Sequence, residues 1–219
     1  MTNPLRYRKM VVRHVRRTSL DLLARLGEAG TATAHEAMGR RGSLGPHIRP
    51  IHLGARTAGN AVTVLCHRGD NMMLHAAIMV CREGDVLVVA NTAPSTHGMF
   101  EELIATSLRT QGVDALVLDA GVRDTAELRE MGFLVSSQHS SCQGAVRATA
   151  GSVNVPIVIS RGPDRPRRCG VRGRRRRRRG PPRRGRLVPP EGRAAFGARG
   201  REAFEAGRRG SRTRDGWPA

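Results

Sequence analysis

The chain has 219 residues, with 38 Lys and Arg against 18 Asp and Glu, for a formal net charge of +20. That length suits one domain with a sizeable core, and the total charge by itself points to nucleic acid or an anionic surface. The charge is unevenly spread, however: residues 161–219 hold 21 Arg against 5 acids, while residues 1–160 hold 17 basic and 13 acidic side chains.

The basic leader "MTNPLRYRKMVVRHVRR" lacks the apolar run of an export signal, and no stretch approaches the roughly 20 apolar residues of a membrane span. Cys66, Cys81, Cys142 and Cys169 show no metal-finger or paired spacing and read as scattered reduced thiols. Together these features predict a cytoplasmic protein without a membrane partner. Lys9 is the single lysine. A Schiff-base mechanism needs a lysine desolvated in a pocket, and one in a polar leader does not qualify.

In chain order, "SLDLLARLGEAG" (19–30) has helical apolar spacing, with Ser19 in the N-cap position and Gly30 as a stop. "TATAHEAMG" (31–39) begins a second helix. "GNAVTVLC" (59–66) reads as a strand and "DNMMLHAAIMVC" (70–81) as a helix. "DVLVVAN" (85–91) is a buried strand, followed by a loop and the helix "FEELIATSLRTQG" (100–112). "ALVLDAG" (115–121) is a strand, and "DTAELREMG" (124–132) a helix capped by Asp124. "FLVSSQHS" (133–140) and "GSVNVPIVIS" (151–160) close the series as strands. Alternating helices and buried strands predict an α/β domain over 1–160. Residues 161–219 contain 11 Gly and 7 Pro among clustered Arg. Such a segment cannot offset its ordering entropy and is expected to be disordered.

Three segments offer chemistry. In "LVLDAGVRDTAE" (116–127) a strand ends just before Arg123 and Asp124, and the carboxyl ends of strands are where α/β sheets bind ligands. Arg123 offers a fork for a carboxylate or phosphate, and Asp124 an oxygen for a hard cation. A surface ion pair beside a helix-capping Asp fits the same letters. In "HGMFEELIA" (97–105) a helix start offers N–H groups to an anion, with Glu101 and Glu102 beside a metal or its waters, or else as ordinary first-turn acids. In "RGDNMMLHAA" (68–77), Asn71 and His75 lie one helical turn apart and share a face. They line a polar pocket or form a cap and a half-buried histidine. "SSQHSSCQG" (136–144) is polar but carries no triad spacing.

These segments, together with "GSVNVPIV" (151–158), resemble in order and wording the 4-hydroxy-4-methyl-2-oxoglutarate / 4-carboxy-4-hydroxy-2-oxoadipate aldolases, whose fold is shared with the regulator of ribonuclease E activity. The resemblance spans roughly residues 10–160. It implies a single compact α/β domain of the RraA-like (swivelling β/β/α) type. It also implies a class II aldolase, a carbon–carbon lyase that needs Mg²⁺ or Mn²⁺ and releases pyruvate, with oxaloacetate decarboxylase activity, in protocatechuate and gallate breakdown.

The family's motif is an acid, twenty spacers and Arg-Asp, matched here by Glu102, residues 103–122 and Arg123-Asp124. The resemblance therefore assigns Arg123 and Glu102 to catalysis and Asp124 to the metal. It gives the backbone of Glu101, Glu102, Leu103 and Ile104 to the substrate carboxylate, and places Asn71 and His75 near the pocket. It implies a homotrimer or homohexamer acting on a small 2-oxo diacid. The alternative is a non-catalytic regulator that binds a ribonuclease or RNA through the same fold and the basic tail. The tail lacks a recognisable RNA-binding module, so nucleic acid is expected to bind there only non-specifically.

Two departures stand out. Glu101 occupies a position where the family usually has Gly. Beyond "GSVNVPIV" the family continues with a stretch resembling "GDVVVADDDGVVVVP" and a helix, and here arginine, glycine and proline stand instead. Consecutive GAC (Asp) codons read out of register give CGA (Arg), so a change of reading frame between Val158 and Cys169 accounts for the run. Translating the other two frames is expected to yield a "GDVVVADDDGVVVVP"-like segment; its absence from both rejects the frame change.

Overall fold

The computed structural model describes residues 9–54 and 56–159, and the backbone of Arg167–Cys169. The parallel core is built from β3 (Asn60–Cys66), β4 (Asp85–Asn91), β6 (Ala115–Val122) and β7 (Leu134–Ser140), adjacent in that order. The sheet extends past β3 through β8 (Ser152–Val153) to β1 (Met10–Val11), and past β7 to β2 (Arg49–Pro50). Between β3 and β7 the chain crosses over through α3 (Met72–Ile78), α4 (Glu102–Arg109) and α5 (Thr125–Glu130), as parallel neighbours require.

Both faces of the central strands are apolar, which explains why their sequences run nearly unbroken in Val, Leu and Ala. Val62, Val64, Cys66, Leu87, Val89, Leu116, Leu118 and Ala120 pack with Leu74, Ile104, Leu108 and Leu128 from the three helices. The alternate residues Leu65, Val88 and Ala90 meet Ile157 and Ile159 on the opposite face. The second face is thus covered by β9 (Ile157–Ile159), to which β10 (Arg167–Cys169) pairs antiparallel. That triplet is the part of the arginine-rich segment among the described residues, and it is extended and paired. The expectation of disorder for the rest of 161–219 lies outside them.

The α/β alternation and most elements agree with the sequence pattern; α1 (Leu20–Ala29), α2 (Thr31–Ala37) and Gly30 at a φ of 81° between them follow it closely. Three details differ. The helix predicted from 100 begins at Glu102, because Gly98–Phe100 form a strand, β5, beside β6. The strand predicted over 151–160 is two strands, broken at Asn154, whose φ is 58° and whose N–H bonds the Thr63 carbonyl. Asp124 holds the N-cap position of α5 but makes no side-chain cap bond.

Cys66, Cys81 and Cys142 are free thiols, and burial pushes the first two up to about 12, so they are inert at neutral pH. Lys9 is exposed.

The entry to β4 is fixed by a buried ion pair. Arg17 meets both carboxylate oxygens of Asp85, at 2.8 and 2.7 Å, and also bonds the Val80 carbonyl. Asp85 is fully buried and accepts the Arg82 N–H as well. Removing one partner of such a pair strands the other charge. Arg17→Met is therefore expected to lower the unfolding free energy by about 3–5 kcal/mol, measured by urea titration.

Candidate functional site

β6 is longer than β4, and this length builds the site. Residues Leu116–Leu118 of β6 pair with β4, while Gly121 and Val122 pair with β5 on the same edge. The two parallel strands therefore exit side by side. Arg123 N–H donates to the Phe100 carbonyl at 3.0 Å, which sets Glu101 beside Arg123. Two glycines permit this approach. A Cβ on Gly98 would collide with the Ser141 carbonyl, and one on Gly121 would lie 2.7 Å from His139 Nε2.

The Arg123 guanidinium pairs through Nη2 with Glu101 Oε2, and Nε lies 3.7 Å from Asp124 Oδ2. Glu101 is buried, at 5% exposure. Its second oxygen faces Arg147 Nη2 at 3.5 Å. Asp124 has a left-handed backbone, φ 52° and ψ 44°. Aspartate visits this conformation more readily than most residues other than glycine. Its Oδ2 reaches back to the Glu102 N–H across 3.5 Å.

The first intrahelical bond of α4 runs from Ala105 N–H to the Glu101 carbonyl. The N–H groups of residues 102–104 precede it and have no carbonyl one turn behind them. Leu103 is exposed and Ile104 is buried in the core. Glu102 is half-buried, and its carboxylate accepts the Thr106 hydroxyl at 2.9 Å.

The remaining two candidates are Asn71 and His75. Asn71 is buried, donates to the Met99 carbonyl at 3.3 Å and keeps an unpartnered Oδ1. His75 is half-buried with an unpartnered Nε2. Burial, reinforced by the Arg147 charge, holds it below the ordinary histidine value, so the ring is neutral at pH 7.

The structure thus brings Arg123, Asp124 and Glu101 together, with the Glu102 N–H beside Asp124 and residues 103 and 104 following it in α4. Asn71 is tied to Met99 of β5, and His75 lies within reach of the Arg147 charge. The structure also corrects one expectation: Asp124 stands at the N-cap of α5 without a side-chain cap bond. The Glu101 side chain is engaged by two arginines. Among the described residues no three His, Cys, Asp or Glu side chains converge as a metal cage.

Two contributors escape a sequence reading. Arg147 lies in an irregular segment, "GAVRATAG", with no periodicity or capping signal around it. Asp70 positions it. Asp70 is buried and accepts the backbone N–H groups of Met72, Ala148 and Thr149 at 2.9, 2.9 and 2.6 Å. Burial acts to raise its pKa, but these donors outweigh that and hold the carboxyl below its usual value. A carboxyl so lowered contributes its full stabilisation above its unfolded pKa of about 3.9. The contribution fades as the pH falls through the folded value. Asp70→Asn is accordingly expected to cost about 1–3 kcal/mol near neutrality and to flatten the acid limb of the stability curve, measured by denaturant titration across pH.

Known proteins place this geometry. The family model RraA-like, Aldolase/RraA, matches residues 31–163. A Burkholderia multivorans protein provisionally named as a 4-hydroxy-4-methyl-2-oxoglutarate aldolase is 32% identical over 131 residues, covering 58% of this chain and 78% of the relative. A Shewanella oneidensis protein with the same provisional name is 28% identical, covering 46% of this chain and 61% of its own length. Among solved structures, the RNA-processing inhibitor RraA of Thermus thermophilis aligns with a TM-score of 0.53 at 22% identity, over 59% of this chain and 78% of that one. An unusual member of the RNase ES inhibitor RraA family from Streptomyces coelicolor aligns at 0.57 and 24%, over 65% and 75%. These two likenesses concern the fold. On the family match and the shared architecture, the chain belongs to the RraA-like aldolase/RraA family.

Proposed function

We propose that this chain is a divalent-metal-dependent carbon–carbon lyase. It releases pyruvate from 4-hydroxy-4-methyl-2-oxoglutarate or 4-carboxy-4-hydroxy-2-oxoadipate in aromatic-compound breakdown, and decarboxylates oxaloacetate at the same site. The carrying observation is the convergence of Arg123, Asp124 and the first turn of α4 at the paired exits of β5 and β6. The names of the curated relatives support the reaction class. We place it in the cytoplasm as a homotrimer or homohexamer. No helix among the described residues is long and apolar enough to cross a membrane.

The donor set suits a loosely held Mg²⁺ or Mn²⁺. Mg²⁺ keeps several waters and is commonly bound through one or two carboxylates plus its substrate. Asp124, about a third exposed at the rim, would hold it, and no protein cage is required. When bound, the cation supplies Lewis-acid polarisation of the 2-oxo group.

The protein's own groups do the rest. Arg123 orients the 2-oxo acid through a fork whose stem is fixed by the strand exit. The N–H groups of residues 102–104 take a substrate carboxylate at the positive end of α4. Glu102, at the first turn of α4, takes the C4 hydroxyl proton and afterwards returns it to the enolate carbon, so that pyruvate leaves. Breaking the carbon–carbon bond leaves its electron pair on the pyruvate enolate, whose charge develops against Arg123. Loss of CO₂ from oxaloacetate leaves the same enolate, so one site serves both reactions. Asn71 and His75 back the pocket, and a neutral His75 adds no charge to it.

Pyruvate release from oxaloacetate in the presence of Mg²⁺ is expected, and EDTA is expected to abolish it. Arg123→Ala should lower kcat/KM at least about 100-fold. Turnover that survives either change, or its absence from the folded protein, rejects the lyase reading.

A further inference from the structure

The Arg123 fork already holds a carboxylate. Glu101 is buried, engages Arg123 Nη2 through one oxygen, and faces Arg147 with the other. It reaches this position because the backbone bond between Arg123 and Phe100 sets residue 101 alongside the guanidinium. Its backbone is extended, with φ −146° and ψ 172°, which any residue adopts. The side chain is thus a built-in anion at the place where a substrate carboxylate would arrive.

Resting on the lyase reading of this site, we propose that Glu101 is a specificity-determining residue that sets how many carboxylates the substrate brings. The two arginines offer positions for two anionic groups, and Glu101 fills one. The site then takes dicarboxylates, such as 4-hydroxy-4-methyl-2-oxoglutarate or oxaloacetate, in preference to the tricarboxylate 4-carboxy-4-hydroxy-2-oxoadipate.

Charge counting agrees with the contacts. Arg123, Arg147, Glu101 and Asp124 sum to zero. With the Glu102 carboxylate counted in, a divalent cation on Asp124 leaves the group at +1, so the negative charge of Glu101 weighs against each further carboxylate the substrate brings. A third carboxylate would compete with Glu101 for the same guanidinium nitrogens, and like charges brought together in this way are strongly penalised. A neutral residue at 101 would leave both arginines to the substrate.

The test is a metal-free calorimetric titration of the full chain with two unreactive probes, glutarate for the dicarboxylate and tricarballylate for the tricarboxylate. Glu101→Gln keeps a similar shape and removes the charge. It is expected to tighten tricarballylate binding at least about tenfold and glutarate binding by less. Adding Arg123→Ala to this variant should cancel the gain. Glu101→Gly, which removes the side chain altogether, supplies the second variant and is expected to behave like Glu101→Gln.

Equal or weaker tricarballylate binding in both variants overturns the proposal, as does tricarballylate binding too weak to detect. A gain that persists without Arg123 also overturns it, because it would reflect overall charge and not the fork. Binding is read without turnover. A failed pyruvate assay with the expected shift rejects the lyase reading alone, whereas normal turnover without the shift rejects the role of Glu101 alone.

Discussion

The hydrogen bond from Arg123 N–H to the Phe100 carbonyl is the constraint on which the site depends. It joins the exits of two parallel strands, so residues distant in sequence become immediate neighbours. Arg123 is thereby fixed at its backbone before its side chain meets anything. The guanidinium then needs to order only its own rotamers. Pre-placed charge of this kind is effective because little reorganisation is needed when an anion arrives. The same bond commits residue 101 to a position beside the fork, so its identity bears directly on what the fork can hold.

Behind that constraint lies a division of labour between the two sheet faces. The helical face packs Leu74, Ile104, Leu108 and Leu128 against the central strands. Ile104 contributes its side chain to this core while its N–H belongs to the first turn of α4. Core packing and the open start of the helix are thus carried by one residue through different atoms. Asp70 performs the comparable task for the irregular segment around Arg147. It replaces the regular hydrogen bonding that this segment lacks with three bonds to a single buried carboxylate.

The fold was largely legible because the central strands are buried on both faces and read as continuous aliphatic runs, while the helices are marked by glycine stops and apolar spacing. β5 was hidden because three residues, Gly-Met-Phe, are too few to show alternation, and their pairing depends on the overhang of β6. The break at Asn154 is equally local, a left-handed residue inside an otherwise convincing strand pattern. Of the site, Arg123 and Asp124 were visible as a strand end followed by charge. The resemblance, not the spacing, separated them from a surface ion pair. The Glu101 contact was not visible, since nothing in "FEELIA" says which glutamate turns inward. Arg147 was invisible for a related reason: it reaches the cluster through tertiary placement from a segment without periodicity.

The sharing of one β6 edge by β4 and β5 has a consequence for how the protein can vary. Residues 92–97 leave the sheet between the two strands and return to the same edge. The connection therefore behaves as a detour whose endpoints are pinned separately, by Leu118 at one side and Gly121 at the other. Lengthening it leaves the register of Phe100 untouched, because loop closure entropy grows slowly with length. The length of this connection can accordingly change while Phe100, Arg123 and the start of α4 keep their places.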